Sequence, residues 1–420
     1  MPDPVTLSEW LLHIDLIHPR TIEMGLERVG CVRGNMGLDP AFPVITVGGT
    51  NGKGSVCAML ESILHHAGYR VGCYTSPHLM RFNERIRIGR KEVADSAIAA
   101  ALSVVEEARA DVSLTYFEFA TLAAVELFAS AKADIAILEV GLGGRLDAVN
   151  AFDADCAVIT GIDFDHMDYL GDTREAIGFE KAGIFRGGKP CICGDPDMPS
   201  SVSKHAGEIG AKLLSFGRDF DFSLNSDSWD YRGPGRRRNG LAHPALKGRI
   251  QFRNAAVAIA AIDSLKIGVD DAALRLGLSD LDLPGRFQLF PGGAILDVAH
   301  NPQAARTLSM NLEDMPCKGK TIAVFGMLSD KDIEGVIREV RAGIDEWLAC
   351  GLDVARGASL ERLALAFSRE NVKEVKLFPS VREAWNHACA AASENDRIVV
   401  FGSFHTVADF MELSPPDVRD

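Results

Sequence analysis

The sequence has little of what marks secreted, redox-active or membrane-spanning proteins. Its nine cysteines are scattered, and the nearest pair, Cys191 and Cys193, lacks the spacing of zinc and redox motifs. Reduced thiols, as in a cytosol, are therefore expected. The longest apolar stretch, residues 119–144, contains four charged side chains, which excludes a transmembrane helix there. The first residues lack the basic and then apolar layout of a signal peptide, so we expect a cytoplasmic protein.

Positive charge is also scarce. Lys and Arg number 44 against 58 Asp and Glu, which gives a formal net charge of -14. Nucleic acids and anionic membranes require clustered Lys and Arg that neutralise phosphates, so we expect neither partner. The densest basic run, Arg236–Arg238, lies among glycines and polar residues and is interpreted as a solvated loop. We expect small-molecule substrates and a monomer.

The pattern along the chain predicts an α/β fold with two domains. From about Pro43, short β-rich runs alternate with longer helical patterns, which is typical of parallel strands joined by crossover helices. A Pro-Gly break at residues 281–286 precedes a second alternation, so we predict domains at 1–286 and 287–420. Residues 215–250 predict a short β-hairpin region or an irregular insertion. The predicted strands are 44–47, 70–74, 135–140, 157–162 and 190–193, then 294–298, 321–325, 347–350, 375–378 and 397–401.

The strongest local signal is a glycine-rich turn, Gly49–Ser55, between a β-rich run and a helical pattern. Such a turn presents backbone N–H groups and the positive end of a helix dipole to a phosphate. Lys53 can reach the terminal phosphates of a nucleotide. The common Walker pattern is not met, because it needs Gly in place of Val47 and Ser or Thr in place of Gly54. The predicted ATP contacts in this P-loop are Asn51, Gly52, Lys53, Gly54 and Ser55.

The magnesium ion that accompanies ATP prefers oxygen ligands, from hydroxyls and carboxylates. Glu139 lies near the carboxyl end of a predicted strand, and His166 lies among three carboxylates after the next strand. Since sites in such sheets lie at the carboxyl ends of strands, both are candidate metal ligands. A dinucleotide-binding loop at Gly141 and Gly143 is excluded, because Leu146 stands where its third glycine is required.

These segments, in this order, resemble the Mur ligase superfamily, and within it the bifunctional dihydrofolate synthase/folylpolyglutamate synthases. The resemblance extends from about residue 10 to 415. It implies an N-terminal P-loop ATPase domain with a mostly parallel sheet and a pterin site, followed by a Rossmann-like C-terminal glutamate-ligase domain. The segments that carry it are GTNGKGS at 49–55, YTSPHL at 74–79, EVGLGGRLD at 139–147, DHMDYLG at 165–171, EKAGIF at 180–185, DVAHNP at 297–302 and GSFHTV at 402–407.

The resemblance also implies roles for individual residues. Two Mg²⁺ sites are implied, and Lys181 resembles a lysine that CO₂ carboxylates into a metal ligand. Asn301 has a second interpretation, as the N-cap of a helix that begins at Pro302. The implied metal ligands are Ser76, Glu139, His166 and Lys181; the further ATP contacts are Asn254, Arg286 and Asp297; the catalytic residues are Lys53, Lys181 and His300.

A pterin site is implied by segments near the N-terminus and after Glu139. Met24–Val29 is similar to the family's pterin-side sequence, with Met in place of Leu, and Thr115–Phe119 matches a further segment. The aromatic residues there have a second interpretation as core residues at a helix start. Asp147 is the best candidate for a hydrogen bond to the pterin. The implied pterin contacts are Arg28, Val29, Thr115, Phe117, Leu146, Asp147 and Ala148.

The implied activity is an ATP-dependent amide ligation. Glutamate would be added to dihydropteroate, forming dihydrofolate, and to folates, through an acyl phosphate and with release of ADP and phosphate. Three alternatives remain open. The first is an enzyme that acts on folates alone. The second is another amino-acid ligase of the superfamily, such as a peptidoglycan-precursor ligase. The third is a nucleotide switch without enzymatic activity. The switch fits less well, since it has no use for Lys181 or for residues 297–302.

Overall fold

The structure, a computed structural model, describes residues 4–20, 22–290 and 293–413. The chain divides into two units, of which the first comprises Met1–Ala245 and Phe252–Leu281, and the second comprises Leu246–Gln251 and Asp282–Asp420. No helix in the described ranges is both long enough and apolar enough to cross a membrane.

The first unit alternates helices and strands. Its helices are α1 (Leu7–Ile17), α2 (Glu27–Met36), α3 (Lys53–His66), α4 (Asp95–Arg109), α5 (Tyr116–Ser130), α6 (Met167–Leu170), α7 (Arg174–Ala182), α8 (Ser200–Ile209), α9 (Ile250–Leu265) and α10 (Asp271–Ser279). Its strands are β1 (Val44–Gly48), β2 (Val71–Tyr74), β3 (Ile86–Ile88), β4 (Lys91–Glu92), β5 (Ile135–Glu139), β6 (Cys156–Ile159), β7 (Pro190–Cys193), β8 (Lys212–Ser215), β9 (Asp221–Leu224), β10 (Trp229–Gly233) and β11 (Arg236–Leu241).

The main sheet of this unit is mostly parallel. Its order is β4-β3-β2-β5-β1-β6-β7-β8, and only β3 and β4 run antiparallel to their neighbours. In the centre, Val47 of β1 is in register with Glu139 of β5 and with Val158 of β6. The carboxyl ends of these three strands therefore meet at one edge, where ligand sites form in such sheets.

Burial explains why β1 and β5 carry continuous apolar runs. Every residue of both strands is buried, as expected for parallel strands covered by helices on both faces. Helix α3, which follows the glycine-rich turn, is buried from Ser55 to Leu64. A Cβ on Gly277 of α10 would lie 2.5 Å from Cα of Ile63 in α3, so the two helices pack closely together. The glycine-rich turn is thus anchored between a buried strand and a buried helix.

The insertion predicted at residues 215–250 is a three-stranded antiparallel sheet in the order β11-β10-β9. The interpretation of Arg236–Arg238 as a loop is wrong, because these residues lie in β11; Arg236 and Arg237 are exposed as expected, whereas Arg238 is buried. Arg238 is 1% exposed and forms ion pairs with Asp263 of α9, at 2.7 Å, and with Asp271 of α10. Two carboxylates from distant parts of the sequence compensate the buried guanidinium, which explains why a basic run is compatible with a core position.

The second unit contains a second, mostly parallel sheet. Its strands are β12 (Gln288–Leu289), β13 (Ala294–Asp297), β14 (Thr321–Phe325), β15 (Glu346–Cys350), β16 (Val375–Phe378) and β17 (Arg397–Phe401), and its helices are α11 (Pro302–Glu313), α12 (Ile333–Val340), α13 (Leu360–Arg369), α14 (Val381–Ala391) and α15 (Phe404–Leu413). The order is β12-β13-β17-β14-β15-β16, and β12 alone is antiparallel. Phe325, Trp347, Phe367 and Phe401 pack together in its core.

The α/β fold is confirmed, and so are most of the predicted strands. Pro190–Cys193, Thr321–Phe325, Val375–Phe378 and Arg397–Phe401 begin and end where they were predicted. The strand predicted at 157–162 instead ends at Ile159. The three residues after it form hydrogen bonds to the glycine-rich turn and to a buried aspartate, which takes them out of the sheet.

Candidate nucleotide and metal site

The glycine-rich turn joins the end of β1 to the start of α3. Gly52 is the N-cap of α3 with φ of 89°, and Lys53 is the first residue of the helix. The Nζ atom of Lys53 donates hydrogen bonds to the carbonyl oxygens of Gly49 and Thr50, both at 3.1 Å. Ser55 is 2% exposed in the first turn of the same helix. The loop amides, the helix N-terminus and the ammonium group are thus gathered where a phosphate is favoured.

Two glycines of the turn allow close contacts with other elements. A Cβ on Gly49 would lie 2.0 Å from Oγ1 of Thr160, and Gly49 has φ of 139°. A Cβ on Gly52 would lie 3.0 Å from Oδ1 of Asn254, a buried residue of α9. Asn254, an expected ATP contact, is therefore next to the phosphate loop.

Thr160 and the residues after it support the turn from the neighbouring strand. The Thr160 hydroxyl donates to the carbonyl oxygen of Asn51 at 2.7 Å. The backbone N–H of Thr50 donates to the carbonyl oxygen of Gly161 at 2.8 Å, and the Thr50 hydroxyl bonds both backbone groups of Asp163 at 3.0 Å. Sequence reasoning missed Thr160 and Asp163, because threonine and aspartate after a strand also suit a plain turn.

Glu139 and Ser76 lie together at the carboxyl edge of the sheet. Glu139 is the last residue of β5, and its side chain is 4% exposed. Its Oε2 atom accepts the backbone N–H of Ser76 at 3.1 Å. Ser76 lies just after β2, the strand next to β5. The Glu139 carboxylate and the Ser76 hydroxyl are therefore suitable oxygen ligands for Mg²⁺.

His166 lies in the segment that follows β6. It has φ of 51° and is the N-cap of the short helix α6. Its Nε2 atom is 3.8 Å from Oδ1 of Asp165, and its side chain is 35% exposed. The left-handed backbone turns the chain at this point, as histidine tolerates better than most residues.

Lys181, at the end of α7, is buried with 4% of its surface exposed. Burial, with Lys53 as the nearest like charge, lowers the pKa of its ammonium to about 7, while Asp165 and Asp147 act in the opposite direction. From sequence without the family, Lys181 would be a surface lysine. The structure instead brings Lys53, Lys181 and two carboxylates into one electrostatic environment.

The donor set fits a magnesium ion held partly by groups other than side chains. In the described part of the chain, no three His, Cys, Asp or Glu side chains are grouped closely enough to hold a metal ion. Glu139 and Ser76 nevertheless offer oxygen atoms beside a phosphate loop. Mg²⁺ commonly takes one or two carboxylates and completes its shell with phosphates and water, so such a set is sufficient.

The implied pterin residues lie around the starts of α2 and α5. Arg28 donates to Glu23 Oε1 at 2.7 Å and lies 3.2 Å from Glu118 Oε1. Thr115 caps α5 and forms a capping box with Glu118. Val29 has no exposed surface and belongs to the core. Arg28 and Thr115 are thus linked through one buried glutamate.

The loop after Glu139 packs against this region. A Cβ on Gly141 would lie 2.8 Å from Cζ of Phe117, so the ring lies directly on the backbone there. Asp147 accepts the backbone N–H groups of Leu142 at 2.8 Å and Val149 at 3.0 Å. Burial raises the pKa of the Asp147 carboxyl to about 7, against the lowering effect of these bonds. Leu146 accepts from Gly25 through its carbonyl oxygen at 3.2 Å, and Ala148 is buried in the 3₁₀ helix Ala148–Ala151.

In the second unit, Asp297 ends β13 and accepts the backbone N–H groups of Phe287 and Ala299 at 2.9 and 2.8 Å. Burial raises the pKa of its carboxyl to about 6, although Arg286 acts in the opposite direction. The Arg286 guanidinium lies 5.0 Å from the centre of the Phe404 ring. An arginine, an aromatic ring and a carboxylate therefore lie close together at the carboxyl end of β13.

His300 and Asn301 precede α11. His300 Nδ1 is 2.8 Å from the carbonyl oxygen of Val298, and its ring centre is 6.0 Å from that of Phe404. Asn301 caps α11 by accepting from Ala304 N–H at 2.9 Å, with proline at the first helical position. The N-cap interpretation of Asn301 is confirmed.

Comparison with known proteins identifies relatives over nearly the whole chain. The model of the Mur ligase middle domain matches residues 47–262, and that of the Mur ligase glutamate ligase domain matches residues 285–404. A curated relative, dihydrofolate synthase/folylpolyglutamate synthase of Escherichia coli K12, is 46% identical over 410 residues, 97% of this chain and 95% of its own.

Two solved structures are similar over comparable lengths. One is described as E. coli FolC in complex with DHPP and ADP, with a TM-score of 0.93, 45% identity and coverage of 97% of both chains. Another is a bifunctional folylpolyglutamate synthase/dihydrofolate synthase with Mn, AMPPNP and L-glutamate bound. It has a TM-score of 0.91, 45% identity and coverage of 97% of this chain and 98% of its own.

Proposed function

The chain belongs to the dihydrofolate synthase/folylpolyglutamate synthase family of Mur ligases, and we propose that it adds L-glutamate to dihydropteroate and to folates at the expense of ATP. One observation carries the proposal: the phosphate loop of Lys53 and the buried Lys181 share one electrostatic environment in a chain that is 46% identical to a bifunctional enzyme. The similar structures bind ADP, AMPPNP, Mn and L-glutamate, which supports ATP, a divalent metal and glutamate as ligands here.

The reaction requires activation of a carboxylate, because a carboxylate oxygen is a poor leaving group. The γ-phosphoryl group of ATP is transferred to the acceptor carboxylate, which gives an acyl phosphate and ADP. Lys53 and the loop amides stabilise the charge of the transferring group, as positioning and electrostatics provide most catalysis of phosphoryl transfer. The unprotonated amine of glutamate then attacks the carbonyl carbon, the amide bond forms, and inorganic phosphate leaves.

Magnesium would neutralise phosphate charge, and Ser76, Glu139 and His166 are the residues proposed to hold it. Lys181 is proposed as a carbamate that serves a second ion. Its amine is neutral above about pH 7 and can add to CO₂, forming an N–C bond and releasing a proton. The product is an anion, so it removes the repulsion between Lys181 and Lys53 that the unmodified side chain experiences.

The acceptor specificity is proposed to depend on the region between α2, α5 and the loop after Glu139. Arg28, Thr115, Phe117 and Asp147 are linked there by contacts with Glu118 and Gly141. The 46% identity to a dihydrofolate synthase/folylpolyglutamate synthase supports dihydropteroate as an acceptor in addition to folates. The proposed pterin contacts are Arg28, Val29, Thr115, Phe117, Leu146, Asp147 and Ala148, and with Val29 buried its contribution would come from the backbone.

The remaining roles are proposals of their own. Residues 1–286 are assigned to ATP and pterin binding, and residues 287–420 to the glutamate-ligase domain. Arg286 and Asp297 are proposed to contact ATP, and His300 to act in catalysis. We further propose a cytoplasmic monomer that binds neither nucleic acid nor membranes, which the net charge of -14 supports.

An assay with separate acceptors tests the function. Purified protein receives ATP, Mg²⁺ and labelled glutamate with either dihydropteroate or tetrahydrofolate, and phosphate release and product mass are followed. Addition of glutamate to both acceptors is the expected result. Addition to tetrahydrofolate alone would identify a folylpolyglutamate synthase, and addition to neither would favour another amino-acid ligase of the superfamily.

A further inference from the structure

The segment Gly161–Asp163 links the glycine-rich turn to an ion pair outside the recognised motifs, between a buried aspartate and a partly buried arginine. On one side, the backbone N–H of Thr50 donates to the carbonyl oxygen of Gly161. The Thr50 hydroxyl donates to the carbonyl oxygen of Asp163 and accepts from its N–H. On the other side, the backbone N–H of Ile162 donates to Asp195 Oδ2 at 2.6 Å, and its carbonyl oxygen accepts from Arg174 Nε at 3.1 Å. Both backbone groups of Ile162 are therefore bound by charged side chains.

Arg174 and Asp195 also bind each other. Arg174 Nη2 lies 3.2 Å from both carboxylate oxygens of Asp195, whose side chain is 5% exposed. Asp195 further accepts the backbone N–H of Asp197 at 2.8 Å, and Arg174 Nη1 donates to Asp197 Oδ2 at 2.6 Å. Every oxygen of the buried carboxylate has a donor, so the pair is fully compensated and rigid.

Arg174 occupies a position that connects two of the expected metal ligands. It is the first residue of α7, and that helix ends with Lys181 and Ala182. Ile162, which Arg174 binds, lies four residues before His166. A single ion pair thus fixes both the segment that leads to His166 and the helix that carries Lys181.

We propose that Asp195 and Arg174 are positioning residues for the metal and phosphate site, acting through Ile162 and α7 rather than by contact with substrate. The inference rests on the proposed function for the identity of the ligands. Residues that orient metal ligands without touching the ion commonly contribute about 10–100-fold to metal affinity. Neither residue belongs to the motifs that identify the family in this sequence.

Asp195→Asn tests the proposal, because it keeps the shape and an acceptor for Ile162 but removes the buried one of the two carboxylate charges that hold Arg174. Binding of Mn²⁺ in the presence of AMPPNP is measured by electron paramagnetic resonance, and hydrogen exchange is measured at the amides of Ile162 and Asp163. We expect Mn²⁺ affinity to fall about tenfold or more and exchange at both amides to accelerate. Affinity for dihydropteroate should stay within about twofold, since its proposed contacts are elsewhere.

Asp263→Asn is the matched control. Asp263 likewise pairs with an arginine in the same unit, the buried Arg238, and its own side chain is 14% exposed, but none of its described bonds reaches Gly161–Asp163. We expect a loss of thermal stability without a change in Mn²⁺ affinity. Equal loss of Mn²⁺ affinity in both variants, or wild-type affinity in Asp195→Asn, would overturn the proposal.

Arg174→Lys provides a second variant if Asp195→Asn does not fold. It keeps the positive charge but cannot reach Ile162 and Asp195 with a planar fork, so an intermediate loss of Mn²⁺ affinity is expected. Unchanged affinity in this variant would contradict the proposal. Because the readouts are binding and exchange, they remain decisive if the wild-type protein fails to ligate glutamate, an outcome that would overturn only the proposed function.

Discussion

Lys53 gives the most direct test at the scale of one residue. Its ammonium lies over the phosphate loop, where it bonds two loop carbonyls, and the helix it begins is otherwise held by buried apolar contacts. Lys53→Ala should therefore leave the fold intact and reduce glutamate ligation by about 10²–10³-fold or more, since preorganised charge is lost at the transferring phosphoryl group.

The measurement is turnover with dihydropteroate, together with circular dichroism and the melting temperature. Lys204→Ala, on the exposed face of α8, is the matched control, because Lys204 is 79% exposed and lies away from the loop. Retained turnover in Lys53→Ala would remove the assignment of the phosphate loop.

Lys181 makes a different prediction, because its role depends on a chemical modification. Lys181→Ala should lose activity that a short carboxylic acid partly restores, since the acid supplies the missing anionic oxygens. Activity is measured with and without the acid, and intact mass measures any added CO₂ on the wild-type lysine. Full turnover of the mutant without the acid would exclude the carbamate.

The depressed pKa of Lys181 predicts the direction of a pH effect. With its pKa lowered from 10.5 to about 7, the folded protein binds fewer protons at this site than the unfolded chain between those values. Stability should therefore rise with pH across that window. At a constant concentration of dissolved CO₂, reactivation of CO₂-depleted enzyme should also accelerate as pH rises through 7, because more of the Lys181 amine is neutral. A rate that falls as pH rises would contradict the burial of a neutral amine.

At the scale of elements, sequence patterns predicted the strands better than the contacts at their ends. Continuous apolar runs are sufficient for buried parallel strands, which is why Thr321–Phe325 was predicted correctly. Arg238 was misinterpreted because its two partners, Asp263 and Asp271, are distant in sequence, and pairing across such distances leaves no local pattern. The burial of Lys181 could not be predicted either, because the groups around it are distant in sequence.

The site was predicted in part. Gly49–Ser55 could be predicted to bind phosphate because the chemistry of phosphate binding demands glycines and a lysine at fixed spacing, and the structure places this turn between β1 and α3 as expected. The supporting bonds from Thr160 and Asp163 could not, since the register of β6 against β1 decides which residues reach the loop. The roles assigned by resemblance to individual metal and pterin contacts stay predictions.

The glycine-rich segment after β5 makes a prediction about acceptor choice. Asp147 holds this segment by accepting from Leu142 and Val149, and it is also the proposed pterin contact. Asp147→Ala should weaken dihydropteroate use more than nucleotide binding. The measurements are KM for dihydropteroate and the dissociation constant for ADP in the same variant.

Asp147→Asn is a milder change than Asp147→Ala, because its amide oxygen can keep one of the two hydrogen bonds that hold the segment. An amide keeps one acceptor for the segment but presents an N–H₂ group where the carboxylate had a second acceptor, so dihydropteroate use should still fall. If Asp147→Ala weakened ADP binding and dihydropteroate use equally, the residue would have a structural role only.

At the scale of the whole molecule, the reactivity of the cysteines measures the packing of both units in one experiment. Cys31 in the first unit and Cys389 in the second unit are exposed, and Cys317, also in the second unit, is partly exposed. The others are buried in the cores, and burial raises the pKa of their thiols, which removes the reactive thiolate. The buried cysteines are Cys57, Cys73, Cys156, Cys191, Cys193 and Cys350.

A thiol reagent applied to the native protein should therefore modify Cys31 and Cys389 quickly and Cys317 more slowly. After unfolding in guanidinium chloride, all nine thiols should react, because none is in a disulfide. Mass spectrometry of peptides identifies the modified positions, and Cys31→Ser with Cys389→Ser should remove the fast phase. Fast modification of Cys350 in native protein would show that the core of the second unit is open, whereas fast modification of Cys191 would show the same of the first. Either result would contradict the packing that places the glycine-rich turn after the buried strand β1 and Asp297 at the end of β13.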